Sequence, residues 1–278
     1  METQTNQITD RKISNNALSI FFALVITLSA LCEWIYCNGV ELIVVLLMWI
    51  PALSAFVATR ISINDHDEVF SYKRQHEILS IQKCRPKYII IGILIPLVYL
   101  IIPYMIYWMT HPESISFGDQ SFIFLTIYMI ISFIVSFATA TGEEIGWRGF
   151  MLPALTERMG ISKGVTIVGM FWCVWHFPLL IWGGYMAGTP LWYKLCAFLL
   201  CIFPVGIITA ILTIKSESIW PAAFLHTAHN AFDQSLFGSF TTGEDKMYFV
   251  SETGLLTIVC VWVIAIALSF VYIRKDNK

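Results

Sequence analysis

The sequence is dominated by apolar runs of about twenty residues, the length of helix that crosses the hydrocarbon core of a bilayer at about 1.5 Å per residue. Eight such runs are present, at roughly 17–37, 41–61, 88–110, 122–142, 162–184, 191–214, 218–237 and 252–273. Tyr88 to Val98 is apolar without the alternation a β-barrel strand would show. Backbone polar groups in lipid must be satisfied internally, so helices are the spanning element. The expectation is an all-α polytopic membrane protein with eight transmembrane helices, a single membrane domain over 1–278. The seventh run is the most polar, holding two histidines, an asparagine and an aspartate. Charged residues make up 13% of the chain, about half the share of a soluble domain. That excludes a soluble globular enzyme, and the formal charge of −2 excludes a nucleic-acid binder that must neutralise phosphates.

Basic residues stay on the cytoplasmic side of a membrane. With eight spans and both termini inside, the inner side receives Arg11, Lys12, Arg60, Lys73, Arg74, Lys83, Arg85, Lys87, Arg148, Arg158, Lys163, Lys215, Arg274, Lys275 and Lys278, and the outer side only Lys194 and Lys246. Adding or removing one span would scramble this asymmetry. The first run is too long for a signal-peptide core and lacks a small-x-small cleavage site. The seven cysteines are scattered without a C-x-x-C pair and read as packing residues, a disulfide between Cys32 and Cys37 at the outer end of the first run being the minor alternative. The polar segment 63–87, with Val69, Phe70, Ile78, Leu79 and Ile81 among basic residues, reads either as an interfacial amphipathic helix or as a solvated connector.

Ionisable residues at bilayer depth cost several kcal/mol and are functional candidates by default. They cluster in three runs: Thr141-Gly-Glu143-Glu144-Ile-Gly-Trp147-Arg148, then Trp172-Cys-Val-Trp175-His176, then His226-Thr-Ala-His229-Asn230 with Asp233 beyond. Glu144 and Arg148 are four apart and face each other on a helix. Glu143, rotated about 100° away, is left as a poorly solvated carboxylate suited to act as a base. His226 with Asn230 and His229 with Asp233 are two i, i+4 pairs, and spacing alone prefers neither. A carboxylate, two imidazoles and a carboxamide directed at one cavity supply what amide hydrolysis needs: a base for water, a proton carrier and oxyanion donors. Two histidines and a glutamate also form a zinc shell with an open position, although H-E-x-x-H is absent.

The run Glu143-Glu-x-x-x-Arg148, the helix ending in Trp-His176, and Trp220-Pro-Ala-Ala-Phe-Leu-His226-x-x-x-Asn230 together resemble the CPBP family of intramembrane proteases. This family, also called Abi, joins type II CAAX prenyl endopeptidases with bacteriocin-processing and immunity proteins. The resemblance covers about 122–237, which it implies to be the catalytic core, and implies these roles: Glu143 activates water, His176 assists it, His226 and Asn230 stabilise the oxyanion, and Glu144 and Arg148 support them. It leaves two routes open, a zinc held by Glu143, His176 and His226 or a glutamate-activated water without metal. In the second motif Trp172 stands where the family has Phe, a change of size in a wall residue that bears on substrate fit.

The leading expectation is therefore an intramembrane endopeptidase acting on a membrane-associated protein or peptide, CAAX-protease-like or engaged in bacteriocin processing or self-immunity. Its cavity would open toward the cytoplasmic half, because Glu143 lies near the inner end of its run. The small residues Ala138, Ala140, Gly142, Gly146 and Gly149 would let helices and substrate approach closely. The implied partners are the lipid bilayer and the substrate, with no nucleic acid. The setting is a cell membrane, and the short loops suit a bacterial plasma membrane. The competing readings are a non-catalytic binding partner, such as an immunity or signalling protein, and a proton-coupled transporter. Absent repeats weigh against the transporter.

Overall fold

A computed structural model describes residues 13–66, 70–116 and 121–276. The chain is all-helical: α1 (Asn15–Cys37), α2 (Ile43–Asp65), α3 (Tyr72–Ile78), α4 (Pro86–Thr110), α5 (Phe122–Glu144), α6 (Leu152–Met159), α7 (Ile161–Trp175), α8 (Phe177–Ile181), α9 (Leu191–Ser216), α10 (Trp220–Asn230), α11 (Lys246–Phe249) and α12 (Leu255–Asp276). Two π-helical stretches, Ile145–Met151 and Ala231–Phe237, continue α5 into α6 and extend α10. Local chemistry marks the ends. The hydroxyls of Ser14, Ser71 and Ser121 accept from backbone N–H groups in the first turns of α1, α3 and α5. Gly160, at φ +83°, breaks α6 from α7 in a conformation that favours glycine.

Among the described residues seven helices are long and apolar enough to cross a bilayer, one of them 123–159 as a continuous 37-residue helix. A belt of exposed Ile, Leu, Val, Phe and Met side chains surrounds the bundle, as lipid rather than water requires. The protein is a multi-pass membrane protein. These seven helices account for seven of the eight apolar runs; the remaining run, 218–237, is helical too, but His226, His229 and Asp233 make it too polar to qualify by composition and turn it into the bundle. These three are buried, and α10 packs among α4, α5 and α9. It is an inner helix whose polarity is compensated by protein.

The helices have two common ends. The base carries the ends of α2, α6, α9 and α12 and the starts of α1, α4, α7 and α10. Arg158 bonds the Ile13 carbonyl there, and Ile219 N–H reaches the Ser80 carbonyl at 2.9 Å. Arg60, Lys73, Arg74, Lys83, Arg85, Lys87, Arg158, Lys163 and Lys215 stand at this end or within a turn or two of it. The rim carries 38–42, 111–121, 182–190 and 238–254, tied by Thr242 N–H to the Ser114 carbonyl at 2.8 Å. Among the described residues only Lys194 and Lys246 stand near it. Arg11, Lys12, Lys278 and Val69 lie outside the described residues. Within 63–87 the helix α3 spans seven residues. All seven cysteines are free, Cys32 and Cys37 included.

Glycines set the close contacts behind the site. A methyl at Gly142 would come within 2.8 Å of the Met48 carbonyl of α2, and one at Gly146 would strike Pro51. One at Gly149 would lie 2.6 Å from the Leu79 carbonyl. These three glycines on one chain segment seat it against α2 and the α3–α4 connection.

Candidate active site

Glu143 and Glu144 close the regular part of α5, and both are buried, with 1% and 0% exposure. As the 100° offset requires, they have different partners. Glu143 Oε2 accepts the indole N–H groups of Trp147 at 3.2 Å and Trp172 at 2.7 Å. Glu144 Oε1 accepts Arg148 Nη1 at 2.9 Å and the ring Nδ1–H of His226 at 3.0 Å. Arg148 is fully buried, and its guanidinium stacks 4.2 Å over the Trp172 ring. A buried ion pair is worth little net, but stripping one member leaves an uncompensated charge and costs about 3–5 kcal/mol; the stacking adds about 2 kcal/mol when desolvated.

Trp172 is therefore more than a wall of altered size. Its indole holds Glu143, its ring covers Arg148, and its carbonyl accepts His176 Nδ1–H at 2.8 Å. A phenylalanine could supply the ring and the carbonyl but not the donor to Glu143.

His176, at the break between α7 and α8, is ringed by Trp172, Trp175 and Phe198. A carbonyl and a carboxylate can only accept, so His176 and His226 both carry their proton on Nδ1 and keep Nε2 free of these bonds. His176, His226 and Asn230 line one cavity of ≈ 20 Å³, together with Trp172, Tyr185, Phe198, Ile202, His229 and Glu252. That is room for about one water molecule. Glu143 is bonded to Trp172 of this wall. Glu144 and Arg148 lie behind, and Arg148 also lines a cavity of ≈ 70 Å³ at the base, with Ser80, Thr156 and Thr213.

His229 and Asp233 have another role. His229 bonds Tyr99 Oη through Nδ1 at 2.8 Å and Glu252 through Nε2 at 3.0 Å. Asp233 accepts the hydroxyls of Tyr104 at 2.9 Å and Ser251 at 2.7 Å. The pair pins α10 and its extension to α4 on one side and to the segment before α12 on the other.

Glu252 and Tyr185 are the cavity residues that sequence reasoning missed. Tyr185 donates to Glu252 at 2.6 Å. Desolvation and the neighbouring carboxylate push the Tyr185 phenol well above its usual range, so it remains a donor. Burial raises the Glu252 carboxyl, but hydrogen bonds from His229 and Tyr185 outweigh burial and hold it below its ordinary value. An acid at the first position of an apolar run looks like any membrane-interface acid, and its partners lie 23 and 67 positions away.

The metal route fits poorly. Among the described residues no group of three or more His, Cys, Asp or Glu is arranged to hold an ion.

Comparison with known proteins points to one family. A family model described as type II CAAX prenyl endopeptidase Rce1-like matches residues 123–232. The CAAX prenyl protease 2 of Methanococcus maripaludis is 33% identical over 183 residues, 61% of this chain. The chain covers 64% of that relative, a little under two thirds of its length.

Proposed function

The chain belongs to the CPBP family of type II CAAX prenyl endopeptidases, and on that premise we propose that it is an intramembrane endopeptidase that hydrolyses a peptide bond with water activated by Glu143. The observation that carries this is the division of valences around Trp172. Both hydrogen bonds to Glu143 fall on Oε2, which leaves Oε1 for a water proton. Both imidazoles spend Nδ1 on the scaffold and line the cavity with Nε2 unspent.

In the proposed reaction Glu143 takes a proton from water as the oxygen attacks the scissile carbonyl. Asn230 Nδ2–H, and His226 in its protonated form, donate to the oxyanion, and His176 carries a proton to the leaving amine. Glu144 orients the His226 ring, as a carboxylate orients the imidazole in other hydrolases, and Arg148 compensates the charge of Glu144. The catalytic core is 122–237 within a single membrane domain. The polar α10 segment is read as an eighth crossing, which puts both termini on the base side. Basic residues assign that side to the cytoplasm, in a bacterial plasma membrane.

The test compares protein termini in cells expressing wild type or Glu143→Gln at equal levels. Termini that require Glu143 are the expected result and identify the substrates. Matching sets of termini, with the protein folded and present, would overturn the proposal. The effect expected on cleavage of any one substrate is a loss of about 10²–10⁴-fold or more.

A further inference from the structure

One charged group in the cavity wall has no cation to answer it. Glu252 is 2% exposed and lines the cavity with His176, His226 and Asn230. Its Oε2 accepts the Tyr185 hydroxyl at 2.6 Å, and its Oε1 accepts His229 Nε2–H at 3.0 Å and the Gln234 amide at 3.5 Å. All three donors are neutral, because His229 Nδ1 accepts from Tyr99 and the ring so carries a single proton. Among the described residues no lysine or arginine pairs with Glu252. Lys194 is drawn onto the Tyr185 carbonyl at 3.3 Å, and Arg148, stacked on Trp172, is committed to Glu144.

The clamp on α10 does not need this charge. Tyr185 and His229 would donate equally to the oxygen of a glutamine, and an ionised carboxylate is costly to bury without a counter-charge. Hydrogen bonds nevertheless hold the Glu252 carboxyl below its ordinary value, so it is ionised at neutral pH. What the packing leaves beside it is the cavity, and the cavity is where a cation would form during hydrolysis of an amide. Water gives one proton to Glu143 as its oxygen bonds to the carbonyl carbon. The scissile nitrogen then takes a proton from protonated His176 and, still bonded to carbon, becomes positively charged. The C–N bond breaks with its electron pair going to the nitrogen while the oxyanion re-forms a carbonyl, and the proton held by Glu143 replaces the one His176 gave.

We propose that Glu252 is a further catalytic residue, whose carboxylate, fixed by Tyr185 and His229, stabilises the positive charge on the departing nitrogen. The role rests on the proteolytic reading and adds the leaving-group half of the site to it. Asn230 and His226 answer the negative charge on oxygen, and Glu252 answers the positive charge on nitrogen, in a cavity of ≈ 20 Å³ that all three line. A charge held in place before the reaction costs no reorganisation when the opposite charge develops.

An ester separates this role from a structural one, because its departing oxygen acquires no such positive charge. The test uses the full chain in lipid and a synthetic peptide spanning a cleavage site found by the termini comparison, made with the scissile amide and again with an ester in its place. Glu252→Gln should cleave the amide about 10²-fold more slowly at single turnover and the ester close to the wild-type rate, whereas Glu252→Asp, which keeps the charge, should restore much of the amide rate. Amide and ester rates that fall together, or an amide rate that does not fall, would overturn the proposal. A second measurement needs no variant. The amine-side product with a free α-amino group should inhibit the wild type about tenfold or more strongly than its N-acetylated form, and equal inhibition would overturn the proposal as well. A wild type that cleaves neither peptide would sink the proteolytic reading itself, whereas cleavage with equal sensitivity of amide and ester to Glu252→Gln would sink the role of Glu252 alone.

Discussion

Two pairs on one helix, His226 with Asn230 and His229 with Asp233, have the same spacing and nearly the same chemistry, and they differ in how much of their hydrogen-bonding capacity the fold consumes. His229 spends both ring nitrogens, on Tyr99 and Glu252, and Asp233 accepts two hydroxyls. His226 spends one nitrogen, on Glu144, and Asn230 faces the cavity. The two rings also carry their protons in opposite places: His226 on Nδ1 toward a carboxylate, His229 on Nε2 toward Glu252 with Nδ1 accepting from Tyr99. A histidine in a membrane protein is functional or structural according to what is left unsatisfied, and a rotation of three residues along the helix decides which.

The largest effect expected on this contrast comes from Arg148→Ala. It strands Glu144, on which His226 depends, and should cost about 3–5 kcal/mol of stability together with cleavage. Thermal unfolding in detergent checks it, and a stable, active variant would break the link between the first pair and the buried ion pair.

Next, Asn230→Ala should lower kcat by about 10²–10³-fold, the usual loss of one oxyanion donor, with the melting temperature unchanged. Asp233→Ala should do the opposite. It orphans the Tyr104 and Ser251 hydroxyls at about 1–3 kcal/mol each and leaves the turnover of the folded fraction near wild type. Parallel melts and single-turnover assays separate the two.

The smallest effect sharpens the structural half. The Glu252 carboxyl sits below its usual value of about 4.3 in the folded protein, so its contribution to stability is complete above that value and is lost as pH falls through the folded one. Wild type should therefore lose melting temperature more steeply than Glu252→Gln below about pH 4, and identical slopes would remove Glu252 from the clamp.

Much of this was legible in the sequence. Seven of the eight runs are spanning helices because length and apolarity suffice to define one in lipid. The i, i+4 geometry of Glu144 and Arg148, and the separate environment of Glu143, follow from helical pitch alone. Three features were beyond reach, for one physical reason: each depends on which neighbour completes a hydrogen bond across the bundle. Trp172 reads as bulk until its indole is seen to donate to Glu143, 29 positions away. The roles of His226 and His229 turn on Tyr99, Glu144 and Glu252, none of which is local. Tyr185 and Glu252, which wall the cavity, belong to connections that carry no motif.

The central claim is that the first pair performs chemistry while the second holds the helix that presents it. The most direct measurement sets His226→Gln beside His229→Gln, reading kcat on one identified substrate and melting temperature in the same lipid preparation. The account predicts that His226→Gln melts close to wild type and cleaves at least about 10²-fold more slowly. It predicts that His229→Gln melts markedly lower yet cleaves at near wild-type rate per folded molecule. If His229→Gln were the dead but stable variant, and His226→Gln the active but unstable one, the assignment of the two pairs would be reversed and the account contradicted.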